Sequence, residues 1–204
     1  MESLRKLKPV VYAFGKKVES VVDYPMFKPH LHAAAMTYEL AHYPEFEQEM
    51  TAVSNLTKEK INRYTHIHHS IDDLVNKVKM MRLLGQKTAT CFQRCVGFDG
   101  LNAVYITSYD IDKKHGTNYH QKFRTYMKYV QDNDLMLAGA MSDPKGDRSL
   151  RPNQQEDPDM YVHVVDRKPG GVVVRGAKAH ITGSVNSHEI IVMPTRTMGP
   201  EWKA

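Results

Sequence analysis

Ser70-Ile-Asp-Asp-Leu-Val-Asn-Lys-Val-Lys-Met-Met-Arg82 is the stretch from which the fold is read. Ser70 and Asp73 have the capping-box spacing, in which each side chain accepts the other residue's amide. Asp72 adds negative charge where the amide dipoles leave a helix start positive. Leu74, Val78 and Met81 recur four and three residues apart, which predicts one buried stripe on a helix. Gly85 interrupts the pattern, but no proline occurs between it and Ala103. A second helical phase is therefore expected through Cys91 and Cys95 to about Asp112, with a break at Asp99-Gly100.

Outward from there, His115-Gly-Thr-Asn118 reads as a loop, and Asn118 is placed to cap a helix carrying Phe123, Tyr126, Met127 and Val130. The first ~135 residues are thus expected to be mostly helical. After Gly139 the character changes. The segment from Ala140 to Pro158 is rich in Asp, Pro, Gly, Asn and Arg and reads as a long irregular connection. Short β-prone runs follow at Tyr161 to Val165, Val172 to Val174 and Ile190 to Met193, the first two joined by a hairpin turn at Lys168-Pro-Gly-Gly171. Pro194 and Pro200 come after them. The expected class is α+β, with a helical amino-terminal domain over residues 1–138 and an incomplete β domain over 139–204. So few strands leave an open edge, which points to a partner chain or to a longer protein.

Composition narrows the class without naming a function. The 204 residues are 41% hydrophobic and 25% charged, ordinary globular usage that excludes collagen-like and disordered chains. No apolar run approaches the ~20 residues that span a bilayer, so no membrane partner is expected. The start, Met1-Glu-Ser-Leu-Arg-Lys-Leu-Lys8, has no apolar core like that of a secretory signal. Two cysteines give no hint of a disulfide scaffold. The cytoplasm is the expected location. A net charge of +5 suits an anionic partner. Basic residues are nonetheless interspersed with acids, as in Lys58-Glu-Lys60, and no nucleic-acid surface is expected.

Three segments carry candidate chemistry. Cys91-Phe-Gln-Arg-Cys95 puts two thiols at i and i+4, on one face of the predicted helix. The spacing alone reads first as two small buried core residues; thiolates are also soft ligands that could serve one metal or two corners of a cluster, and a redox pair is the third reading. Two ligands do not close a four-ligand site. Met141-Ser-Asp-Pro-Lys-Gly-Asp-Arg148 offers cations and backbone amides to a phosphate or to the polar rim of a ring, or is a solvated turn. It lacks the spacing of a P-loop or dinucleotide fingerprint. In Arg175-Gly-Ala-Lys-Ala-His-Ile-Thr-Gly183, Lys178, His180 and Thr182 alternate as on one face of a strand, facing either a ligand or water. His66, His68 and His69 match no metal pattern and read as surface residues.

In combination, Arg82-Leu-Leu-Gly-Gln-Lys87, Cys91-Phe-Gln-Arg-Cys-Val-Gly97, His115-Gly-Thr-Asn-Tyr119, Asp143-Pro-Lys-Gly-Asp-Arg148 and Val174-Arg-Gly-Ala-Lys-Ala-His180 resemble the 4-hydroxybutyryl-CoA dehydratase family. That family also carries vinylacetyl-CoA Δ-isomerase activity and belongs with the 4-hydroxyphenylacetate 3-hydroxylase flavoproteins. The resemblance runs along essentially the whole chain in order. It implies an acyl-CoA dehydrogenase-like fold: a helical domain, a middle β domain and a carboxy-terminal helical bundle that this chain lacks.

It also implies that Cys91 and Cys95 ligate a four-iron four-sulfur cluster. Met141, Ser142, Asp143, Pro144, Lys145, Gly146, Asp147 and Arg148, with His180, Ile181 and Thr182, would contact FAD, and Gln93 and Arg82 would lie in the active-site neighbourhood. The implied reaction removes a C2 proton and one electron from an acyl-CoA, which makes the C3 proton removable. Iron polarises the departing hydroxyl. The family's remaining histidine and cysteine ligands lie beyond the β domain. This chain has no cysteine after Cys95 and is expected to be inactive alone, whether it forms a homo-oligomer in longer form or pairs with a separate carboxy-terminal polypeptide. A reduced-flavin-dependent aromatic hydroxylase, which needs no cluster, and a non-catalytic module completed by a partner chain are the alternatives.

Overall fold

The structure is a computed structural model that describes residues 1–193 and Arg196; Pro194 and Pro200 lie outside the described residues. Its elements, in chain order, are α1 (Glu2–Leu7), β1 (Val11–Ala13), β2 (Lys16–Val18), α2 (Lys28–Glu39), α3 (Glu47–Met50), β3 (Thr51–Val53) and β4 (Lys60–Asn62). There follow α4 (Ile71–Thr88), α5 (Cys95–His115), α6 (Tyr119–Asp132), β5 (Leu137–Ala140), β6 (His163–Lys168), β7 (Gly171–Arg175) and β8 (Glu189–Val192). The chain divides into two compact units. One comprises residues 1–138 with 183–190, the other 139–182 with the residues from 191 onward.

In the first unit, α4 starts as its sequence requires. The Asp73 amide donates to Ser70 Oγ at 3.1 Å and the Ser70 amide to Asp73 Oδ2 at 3.0 Å. The stripe is another matter. Leu74 and Val78 are exposed, Val78 by 64%, whereas Met80 and Leu84 are fully buried and Met81 only edges the core. The buried face is turned by about a quarter of the helix circumference from the predicted one. Its partners decide this, for Met80 and Leu84 pack into a cluster with Leu40, Met50, Tyr64, Phe92 and Phe98. The rings of Phe92 and Phe98 lie 6.0 and 5.6 Å from that of Tyr64.

The expected continuous second helix is also corrected. α4 stops at Ala89, which is left-handed (φ 50°), and an irregular connector runs to Arg94 before α5 begins at Cys95. The break thus falls at 89–94, while Asp99 and Gly100 are helical. Two short hairpins, β1–β2 and β3–β4, interrupt the expected helical region before residue 100. Their three-residue strands are too short to show period-two alternation. Asn118 stands at the cap position of α6, yet its side chain makes no cap bond. Asp112, on the preceding helix, accepts from the amides of Tyr119 and His120, both at 2.8 Å. His66 is buried rather than superficial and His68 half-buried; only His69 is exposed.

β6 and β7 form the expected antiparallel hairpin, with Lys168 opposite Gly171. The strand starts at His163, two residues later than read, because Tyr161 makes only an isolated bridge to Ala177. β5 was not foreseen; it pairs with β8. Residues 183–190 go with the helical unit because the His188 and Glu189 amides both donate to Met136 O. Among the described residues each sheet is a two-stranded pair.

Candidate functional site

Within the first unit the connector places Cys91 and Gln93 beside Cys95, the first residue of α5. Cys91 is exposed and Cys95 half-buried, but with Cys91 off the helix the two thiols do not share a helix face. Burial pushes the Cys95 thiol up, and a charge on Cys91 pushes it the same way. Gln93 is left-handed at φ 61°, a conformation costly for a residue with a side chain. Its Oε1 is buried. A Cβ added to Gly183 would come within 3.3 Å of Gln93 Cβ, so the glycine lets the two backbones approach. His30 also faces Gln93; burial pushes its imidazole down, and Gln93 pulls the other way. Arg82 is exposed on α4.

The residue that fixes this connector was absent from the sequence-based candidates. Arg94 is 2% exposed. Its guanidinium donates to Asp134 Oδ1 at 2.5 Å, to the Leu135 carbonyl at 3.2 Å and to Thr37 Oγ1 at 3.3 Å. It also lies 4.1 Å above the Tyr38 ring and 5.1 Å from that of Tyr64. Burial pushes the Tyr38 hydroxyl up to about 12, with Arg94 opposing, so the phenol stays protonated. A buried guanidinium needs a carboxylate, but no local pattern names Asp134 forty residues on. His188 is not free to ligate a metal. The Met136 amide donates to its Nδ1 at 3.1 Å, and its Nε2 lies 2.9 Å from Ser3 Oγ.

Within the second unit the segments 141–148 and 178–182 come together. The Ala179 amide donates to Ser142 O at 3.0 Å. Lys178 Nζ donates to Asp143 Oδ1 at 2.6 Å, to Met193 O at 2.7 Å and to Met141 O at 3.0 Å. Lys178 therefore does not alternate with His180 and Thr182 on a strand. Gly176, at φ 131°, ends β7 where a Cβ would lie 2.5 Å from the Tyr161 carbonyl.

Gly146 is closely packed, and the Asp147 amide is already engaged. A Cβ on Gly146 would meet Gln155 Oε1 and Met160 Sδ, each at 2.3 Å. The Asp147 amide already donates to Gln155 Oε1 at 2.8 Å, and Ser149 holds the Asp147 carboxyl below the usual range. Pro144 and Ile181 are half-buried, while Met141, Ser142, Lys145, Arg148, His180 and Thr182 are exposed. His180 is left-handed at φ 58°.

The donor sets differ in how well they suit their implied groups. Exposed Lys145, Arg148, His180 and Thr182 fit the anionic and polar parts of a dinucleotide. Cys91 and Cys95 supply two soft thiol donors, of the kind a cluster takes. Among the described residues no group of three or more His, Cys, Asp or Glu side chains is placed to hold a metal ion. No described helix is long and apolar enough to cross a membrane.

The chain is 59% identical over 198 residues to the 4-hydroxybutyryl-CoA dehydratase/vinylacetyl-CoA Δ-isomerase of Clostridium aminobutyricum, covering 97% of this chain and 40% of that protein. It is 27% identical over 201 residues to the 4-hydroxyphenylacetate 3-monooxygenase oxygenase component of Thermus thermophilus, covering 96% of this chain and 39% of that one. An oxygen-tolerant archaeal 4-hydroxybutyryl-CoA dehydratase from N. maritimus superposes with a TM-score of 0.91 at 50% identity, over 97% of this chain and 39% of that one. The chain thus spans about 40% of the length of the relatives it matches. The family described as 4-hydroxyphenylacetate 3-hydroxylase N terminal matches residues 1–204, and the chain belongs to it.

Proposed function

We propose that the chain is the amino-terminal part of an FAD- and iron–sulfur-dependent dehydratase that converts 4-hydroxybutyryl-CoA to crotonyl-CoA and isomerises vinylacetyl-CoA. The frame is acyl-CoA dehydrogenase-like, with a carboxy-terminal helical bundle as its further part. The observation that carries the reading is the accessibility of Cys91 and the half-exposure of Cys95 at the start of α5. Cysteines that merely fill a core are enclosed.

When bound, FAD supplies one-electron chemistry and a four-iron four-sulfur cluster supplies a Lewis acid. Cys91 and Cys95 would anchor one side of that cluster. Gln93 would orient the acyl group, since its amide gives and accepts hydrogen bonds but moves no proton at neutral pH. Arg82, whose planar guanidinium offers a fork of donors, would hold a substrate oxygen. Lys145, Arg148, His180 and Thr182 would bind the flavin.

Two measurements test the reading. In anaerobically reconstituted protein of the relatives' full length, Cys91→Ala and Cys95→Ala each lower bound iron, while α5 keeps its helicity because alanine is a good helix former. Unchanged iron in both variants returns the pair to a structural role. The 204-residue chain assayed alone for crotonyl-CoA formation gives no turnover, and robust turnover shows that it is sufficient by itself.

A further inference from the structure

We propose that Lys178 is a positioning residue for the flavin, a clamp that sets the Met141–Asp143 backbone against the segment entering His180 to Thr182. The proposal rests on the flavin reading of those two segments. An ammonium has three N–H donors, and the three oxygens within 3.0 Å of Lys178 Nζ use all of them. Its side chain is 9% exposed and that of Asp143 12%. Lys178 is therefore spent on the protein and is no ligand itself, which leaves exposed Lys145 and Arg148 to meet an anion.

One residue later the Ala179 amide closes on Ser142 O, so the two segments are tied at consecutive positions. The next residue is the strained His180. Such a conformation persists only where the surrounding structure over-determines it, and a doubly tied segment immediately before it does so. Apolar packing has little to offer here. Every residue of β7 is exposed, and the buried hydrophobic side chains of this unit are few, Ala140 and Tyr161 among them. Replacing the ammonium by a methyl group would take one donor from each of two carbonyls and from the Asp143 carboxylate in a largely buried place.

The test compares wild type, Lys178→Met and Lys178→Arg in protein of the relatives' full length, by hydrogen exchange without flavin and by titration with FAD. In Lys178→Met, amides of residues 141–148 and 178–182 exchange about tenfold faster or more, while α4 and α5, the internal control for folding, are unchanged. FAD affinity falls by about tenfold or more, and the vibronic structure of the bound flavin's absorption changes. Lys178→Arg falls between the two, because a planar fork reaches some of the three oxygens and not all.

Unaltered exchange in Lys178→Met overturns the clamp. Loosened segments with unaltered FAD affinity and spectrum overturn the positioning role. Wild-type protein of the relatives' full length that binds no FAD overturns the flavin reading and the positioning role with it, and the exchange data distinguish that result from a failed clamp.

Discussion

The connector from Ala89 to Arg94 and the loop from Met141 to Arg148 both lack regular structure, yet they are held in opposite ways. In the connector a guanidinium points inward from the chain it fixes, between two tyrosine rings and onto Asp134. In the loop the fixing cation comes from another segment, Lys178, and grips the backbone from outside. The connector also borrows rigidity from a packed core, because Phe92 sits in the cluster with Tyr64, Met80 and Leu84. The loop has no such support and relies on polar contacts to Gln155 and Lys178. A segment anchored in a core is insensitive to its surface residues and fragile at one buried one. A segment held by polar ties depends on each tie.

The largest effect follows from removing the inward anchor. Arg94→Met takes away the donor that Asp134, Leu135 and Thr37 share, and leaving the buried Leu135 and Thr37 oxygens without it costs about 3 kcal/mol, Asp134 being partly solvated. The loss is read as a lower midpoint in urea unfolding, together with faster labelling of Cys95 by a thiol reagent. A midpoint within error of wild type would show that the aromatic and core contacts hold the connector unaided.

Next in size is Gly97→Ala, two residues into α5. Its added Cβ would sit 2.2 Å from the Leu137 carbonyl, which is backbone and has little freedom to retreat. A cost of about 1–3 kcal/mol is expected, with α5 pushed off β5 at its cysteine-bearing end. Thermal unfolding measures the cost. Wild-type stability would mean that the helix shifts freely, and that the connector is less fixed than its buried anchor implies.

The helical unit is also expected to be acid-sensitive. His66 and His68 are both pushed down, first by burial; the neighbouring Asp73 opposes the shift in each. Asp73 itself lies at about 2, because the His69 amide, the Ser70 hydroxyl and His66 outweigh the burial that would raise it. The sign follows. With folded values below the ordinary 6.5, the unfolded chain binds more protons as pH falls through that value, so stability drops below pH 6.5. The drop continues until the folded imidazoles titrate. Unfolding followed between pH 7.5 and 5.5 in buffer of fixed ionic strength measures it, and His66→Gln with His68→Gln should flatten the slope. A slope unchanged in the double variant assigns the effect to other groups.

The same pair of regions shows what was legible in the sequence. The loop was read correctly as irregular because Asp, Pro and Gly declare themselves locally, as did the Ser70 cap and the Pro169-Gly170 turn. The pairing of Cys91 with Cys95 was read as a helix face, and that failed. The reason is long-range, since Arg94 reaches Asp134 and pulls the chain out of helical phase. Lys178 was misjudged for a related reason. Alternation with His180 and Thr182 presumes a strand, and Gly176 had already ended it against Tyr161. Short hairpins before residue 63 and the capping by Asp112 likewise depend on contacts that no window of neighbouring residues contains.

The smallest expected effect tests the face of α4 that periodicity got wrong. Val78 was placed in the buried stripe, whereas it is 64% exposed and Met80, two residues on, is fully buried. Val78→Ser should change stability by no more than about 0.5 kcal/mol, as surface substitutions do. Met80→Ala should cost about 2–5 kcal/mol, since it empties space among Leu40, Tyr64 and Leu84. Paired urea titrations of the two variants give the comparison directly. Equal losses would mean that Val78 is covered in solution by something that packs on α4, and the exposed residues Ile71, Leu74 and Val75 beside it would then be the surface to map. A near-zero loss at Val78 and a large one at Met80 would leave the helix oriented by Phe92 and Phe98, and so by the connector that Arg94 holds.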